Sequence, residues 1–191
     1  MVTGIILASG FSRRMGDEKL LLEVDGVPMV ERVIKTAQSS LLDEIILIYR
    51  QDVIKMPANQ YDIKTVLNPH AEKGQSEAVK LGITQAHPGS DGYMFLVADQ
   101  PFLSYTTVNR LIKVFNGHKD CIVMPVYNGA RGNPVIFPAA LKSDLLNLEG
   151  DCGGRAVVEQ MENIVKLVPI ENDWEGTDID TREVYESAQD S

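Results

Sequence analysis

The chain has 191 residues, 44% hydrophobic and 24% charged, with 18 basic against 27 acidic side chains and a net charge of −9. That length and balance predict one soluble globular domain, residues 1–191, and exclude collagenous, low-complexity and membrane-spanning compositions. The acidic excess disfavours nonspecific attraction to nucleic acid or a membrane surface, so a polyanionic ligand requires a local basic pocket.

The first apolar run, residues 2–8, is too short for a signal h-region or a membrane span and follows no basic leader, which points to the cytoplasm. Cys121 and Cys152 are too few for a disulfide framework and lack metal-binding spacing, in keeping with a reducing compartment. Residues 5–7 read as a buried strand. Residues 28–38 carry apolar side chains at helical spacing, with Pro28 suited to the first turn. Short β-branched runs follow at 45–49 and 65–67, then a helix over 76–85, a strand over 93–97, a helix over 106–116 capped by Ser104 or Thr106, and a strand over 121–124. Strands alternating with helices predict an α/β fold: a mostly parallel sheet with right-handed crossovers and helices on both faces, a Rossmann-like three-layer sandwich. After Val126 the rhythm changes. Asn128-Gly129-Ala130-Arg131-Gly132-Asn133-Pro134 is a turn-rich bridge into an apolar run over 135–137, which predicts a small β-hairpin inserted beside the sheet. Residues 142–148 and 156–161 read as helices, 164–170 as a late strand, and 181–187 as a terminal helix.

Ligands of open α/β sheets bind outside the carboxyl ends of the strands, so the loops after the strands carry the candidates. After the first strand stand Ser9, Gly10, Ser12, Arg13, Arg14, Gly16 and Lys19. Small residues let backbone N–H groups approach phosphate oxygens, and the cations offset a triphosphate's charge; a solvated loop with surface cations has the same composition. The spacing fits neither a P-loop nor G-x-G-x-x-G. Asp99, ending the strand 93–97, is placed to hold Mg²⁺ against phosphate oxygens, or to make an Asx turn ahead of Pro101. Asp178-Ile179-Asp180-Thr181 offers a second carboxylate in Asp180, or an N-cap for the last helix. Gln75 and Ser76 open a helix, where Ser76 suits a cap. Arg131, Asn133, Asp151 and Arg155 lie in turn-rich loops whose arginines suit an anionic partner. Cys152 has no evident histidine partner, and His70, His87 and His118 read as loop or surface imidazoles.

Leu7-Ala8-Ser9-Gly10-x-Ser12-x-Arg14-Met15-Gly16-x-x-Lys19 resembles the signature of the molybdenum cofactor nucleotidyltransferases, and the similarity extends to Asp99-Gln100-Pro101, Asp178-x-Asp180-Thr181, Arg131-Gly132-Asn133-Pro134 and the loop ending in Arg155. The cytidylyltransferase branch is nearest. The resemblance implies a nucleotide-diphospho-sugar transferase type of fold and a Mg²⁺-dependent transfer of CMP from CTP to molybdopterin. In it Leu7, Ala8, Ser9 and Gly10 wrap the nucleotide, Arg14 and Lys19 contact phosphates, and Gln75 and Ser76 lie beside the nucleotide. Asp99 and Asp180 hold metal, Arg131, Asn133, Asp151 and Arg155 face the acceptor, and a recipient molybdoenzyme is a transient partner. Two departures bear on the substrate. Ser9 stands where cytidylyltransferases commonly carry alanine and guanylyltransferases glycine, and Asn133 stands where histidine is frequent. A side chain at position 9 narrows the base pocket and favours cytosine over guanine. Related readings are a guanylyltransferase, a sugar-phosphate nucleotidyltransferase and a noncatalytic cofactor carrier.

Overall fold

The structure, a computed structural model, describes residues 1–11 and 19–189. Its strands are β1 (Val2–Ala8), β2 (Glu23–Val24), β3 (Val27–Pro28), β4 (Glu44–Tyr49), β5 (Lys64–Leu67), β6 (Gly92–Val97), β7 (Ile122–Tyr127), β8 (Ala130–Arg131), β9 (Val135–Pro138) and β10 (Val165–Ile170). Its α-helices are α1 (Met29–Gln38), α2 (Asp52–Lys55), α3 (Gln75–Gln85), α4 (Tyr105–Asn116), α5 (Lys142–Leu146), α6 (Arg155–Gln160) and α7 (Arg182–Gln189).

The main sheet runs β10-β7-β9-β6-β1-β4-β5, with β8 paired to β7. β1 lies parallel to both β4 and β6, β5 is parallel to β4, and β10 is parallel to β7. Because side chains alternate across a pleated strand, each central strand feeds two cores. Ile6, Leu47, Met94 and Leu96 pack beneath α1 and α4, through Val30, Val33, Ile34, Val108, Leu111 and Phe115. Ile5, Ile46, Ile48, Tyr93 and Phe95 pack beneath α3, α5 and α6, through Val79, Ile83, Leu145 and Val157. These strands therefore lack the one-sided alternation of a half-exposed sheet. The result is the three-layer α/β architecture that the apolar runs predict.

Two features differ from the sequence reading. Asn128 and Gly129, both at positive φ, turn β7 back into β8 as a true hairpin. The following run, however, does not lie beside the sheet: β9 sits inside it, antiparallel to β6 and to β7. Short pieces also escape notice in the sequence, namely α2 and the antiparallel pair β2–β3. Each is too brief to set up a hydrophobic period. At α4 the cap is Ser104, whose Oγ accepts from the Thr107 backbone N at 3.2 Å. Among the described residues no helix is long and apolar enough to cross a membrane.

Candidate active site

β1 is where the strand order reverses: the chain runs from β1 outward to β4 and β5, then returns to β1's other side with β6. The loops after β1 and β6 diverge there and open a crevice at the carboxyl ends. Lys19, on a short 3₁₀ turn (Lys19–Leu21), reaches this crevice buried, at 7% exposure. Its Nζ donates to Asp99 Oδ2 at 2.8 Å and to Asp180 Oδ1 at 2.5 Å, joining residues 80 and 161 positions away. Burial disfavours the ammonium, but the Asp99 and Asp180 carboxylates outweigh it and hold the Lys19 pKa above its ordinary value.

The last segment is pinned to the loop after β6. Ile179 is fully buried, and its backbone N donates to the Asp99 carbonyl at 3.0 Å. The alternative role of Asp180 as a helix cap is not seen: Thr181 Oγ1 accepts from Val184 N at 3.3 Å, and the Asp180 carboxylate turns to Lys19. Beside it the Asp178 carboxyl is pushed up to about 6 by desolvation, with repulsion from Asp99 next in size.

A cavity of about 670 Å³ opens on this triad, and Leu7, Ser9, Gly10, Lys19, Gln75, Asp99 and Asp180 all line it. Two other expected nucleotide contacts fall elsewhere, and a third is not among the described residues. Ala8 points into the core beneath α1, so any contact it makes is through its backbone. Ser76 is buried, with an Oγ that has no hydrogen-bond partner among the described residues, and the cap position of α3 belongs to Gly74. Arg14 lies outside the described residues.

A second cavity, about 870 Å³, adjoins the first and is lined by all four expected acceptor residues, Arg131, Asn133, Asp151 and Arg155. Its floor is apolar, made by Phe95, Met124, Val135 and Phe137. Its arginines already have partners: Arg131 makes a two-pronged ion pair with Glu162, and Arg155 Nε lies 3.0 Å from Glu159 Oε1. Leu7, Gln75, Val97 and Asp151 border both cavities. This common wall is stitched by Ser76 N donating to the Gly150 carbonyl at 3.2 Å and Gln75 N donating to Asp151 Oδ1 at 3.3 Å. Gly74 permits the approach. Its φ is +106°, and a Cβ there would collide with the Gly150–Asp151 backbone.

Among the described residues no group of three or more His, Cys, Asp or Glu side chains is arranged to hold a metal. Asp99 and Asp180 nonetheless converge on one cationic nitrogen. Mg²⁺ takes one or two carboxylates and completes its shell with water and substrate oxygens, so this donor set fits that ion. Sequence reasoning missed Asn68, whose buried side chain reaches Ser9 in the first cavity, because Asn before Pro reads simply as a turn. It also missed Phe11, at the cavity's rim with the Arg50 guanidinium 5.0 Å from its ring centroid.

Comparison with known proteins gives this geometry a setting. Residues 4–164 match the family described as the MobA-like NTP transferase domain. The chain is 30% identical to the purine catabolism protein PucB of Bacillus subtilis over 96% of its own length and 93% of that protein. It is 28% identical to the nicotine blue oxidoreductase of Paenarthrobacter nicotinovorans, covering 95% and 93%. It is 31% identical to a probable molybdenum cofactor guanylyltransferase of Natranaerobius thermophilus, covering 67% and 62%. A solved nucleotidyl transferase from Methanothermobacter superposes with a TM-score of 0.84 at 23% identity, over 100% of this chain and 96% of that one, and shares the fold. Asp180 lies beyond the stretch matched by the family.

Proposed function

The chain belongs to the MobA-like NTP transferase family, and on that footing we propose that it transfers CMP from CTP to the terminal phosphate of molybdopterin, releasing pyrophosphate. The observation that carries this reading is the pair of adjoining cavities, one ending on Lys19, Asp99 and Asp180, the other apolar-floored, with a common wall through which two substrates would meet. The first would take the nucleotide and the second the acceptor.

In the proposed reaction an oxygen of the acceptor's terminal phosphate bonds to the α-phosphorus of CTP while the bond from that phosphorus to the bridging oxygen of pyrophosphate breaks. A phosphate monoester is largely dianionic near neutral pH, so the attack requires no general base. Lys19 and the backbone amides after β1 offset charge that grows on the departing pyrophosphate. Asp99 and Asp180 would hold Mg²⁺, which when bound neutralises phosphate oxygens. The common wall fixes the approach of the two substrates, and orientation of that kind is a large part of such catalysis. The proposed setting is the cytoplasm, with the product passed to a molybdoenzyme.

The purified protein should release pyrophosphate from CTP only when molybdopterin and Mg²⁺ are both present. Guanylyl transfer is the second reading, supported by the name of the Natranaerobius relative. Faster pyrophosphate release from GTP than from CTP would establish it in place of the first. Stoichiometric cofactor binding with no pyrophosphate release from any nucleotide would point instead to a carrier.

A further inference from the structure

Asn68 follows the end of β5 and is only 3% exposed, and Ser9, on the wall of the first cavity, is 5% exposed. The Asn68 backbone N donates to the Tyr49 carbonyl at 2.7 Å, which pins the residue across the sheet end. The polarity of its side chain follows from its neighbours. The His70 backbone N can only donate, and it lies 3.1 Å from Asn68 Oδ1. The amide nitrogen Nδ2 must therefore be the atom that faces Ser9 Oγ, at 3.1 Å. Since Nδ2 can only donate, Ser9 Oγ accepts, and its own proton has to point away from Asn68. Among the described residues Ser9 Oγ has no other hydrogen-bond partner, and the open side is the cavity.

We infer that Asn68 is a positioning residue that fixes the Ser9 hydroxyl as a hydrogen-bond donor toward the nucleobase, selecting a base that offers acceptor atoms there. Cytosine offers adjacent acceptors at N3 and O2, whereas the matching edge of guanine carries N–H donors at N1 and N2. A fixed donor discriminates because the wrong base leaves donor facing donor. The inference rests on reading the first cavity as the nucleotide site and adds what sets its choice of base.

The test is the ratio of CTP to GTP dissociation constants, measured by titration calorimetry with Mg²⁺ present, in wild type and three variants. In Asn68→Asp the carboxylate takes the Ser9 proton and turns the hydroxyl's lone pairs to the cavity, so the ratio should move toward GTP roughly tenfold, the equivalent of one lost or opposed hydrogen bond. Both nucleotides carry the same triphosphate, so the added charge cancels in the ratio. Ser9→Ala should weaken the cytosine preference, and adding Asn68→Asp to it should change the ratio no further. If Asn68→Asp fails to give a cooperative melt, Asn68→Ala serves instead; it frees the hydroxyl to rotate and should bring the ratio to that of Ser9→Ala. A ratio unmoved in the folded position-68 variant, or moved equally with and without Ser9, overturns the role of Asn68. Wild type binding neither nucleotide overturns the nucleotide reading of the cavity and this inference with it, whereas wild type preferring GTP overturns the choice of base.

Discussion

The two cavities open at the same end of one sheet, yet they hold their charge in opposite ways. In the first, a buried lysine is locked between two carboxylates contributed by segments far apart in the chain. In the second, the floor is aliphatic and aromatic, and the arginines sit on the rim paired with exposed glutamates; the Arg155 side chain is 90% exposed. Coulomb interactions are much stronger away from water, so a ligand entering the first cavity must exchange strong interactions for strong ones, while the second offers shape and weakly held rim charges. On the proposed assignment the nucleotide end would thus be read by charge and the acceptor end mainly by surface.

The largest way to break this contrast is Asp99→Asn. It leaves Lys19 with one carboxylate and removes the proposed metal ligand, so pyrophosphate release should fall by roughly a hundredfold or more while the fold survives. Unchanged turnover in steady-state assays would sink the assignment. Gly74→Ala attacks the common wall instead, and is expected to cost on the order of 1–3 kcal/mol in a denaturant titration because the new Cβ meets the Gly150 backbone at a strained φ. Both substrates should then show raised KM; a change confined to one would mean that the wall serves only that cavity. Arg131→Ala tests the rim alone. The acceptor's KM should rise by roughly three- to tenfold with the CTP dissociation constant untouched, in line with one charge-assisted contact. Glu162→Gln, which releases Arg131, should shift it the other way, and identical effects on both substrates would erase the distinction between the cavities. The smallest effect belongs to Thr181→Ala, which removes the cap of α7 behind Asp180 and should lower stability by about 1 kcal/mol in thermal melts, leaving acceptor KM alone.

How far this was legible in the sequence depended on the range of the interaction. The doubly buried strands announced themselves, since a strand packed on both faces must be apolar at consecutive positions, as Ile5-Ile6-Leu7 and residues 93–97 are. The loops after β1 and β6 could be singled out because a parallel sheet places its ligands there. What could not be read was which charges meet. Nothing local in Lys19 says that it faces Asp180, and Asp180 before a helix looks like a cap until Thr181 is seen to take that part. Ser76 misled for the opposite reason: its position at a helix start has the composition of a cap, but the cap falls two residues earlier, at Gly74 with its positive φ, and Ser76 turns inward. The reversal of β9 was also hidden, because an apolar run carries no sign of its direction in the sheet.

That reversed strand bears on how the molecule assembles. β1, β4, β5 and β6 pair with one another, all in parallel, using only the first 97 residues. β7 and β10 pair together, but they reach the rest of the sheet only when β9, later in the chain than β7, slides between β6 and β7. Loop-closure cost grows with the separation of the contacts, and Val123–Ile136 and Phe95–Val135 are 13 and 40 positions apart against 90 for Val2–Gly92, so the β6–β9–β7 side should gain amide protection first in pulse-labelled refolding and the β1–β6 pairing should follow. Val135 and Phe137 arrive with β9, so the floor of the second cavity comes into being at that earlier step, and a trapped intermediate would possess the apolar cavity before it possesses the crevice at β1.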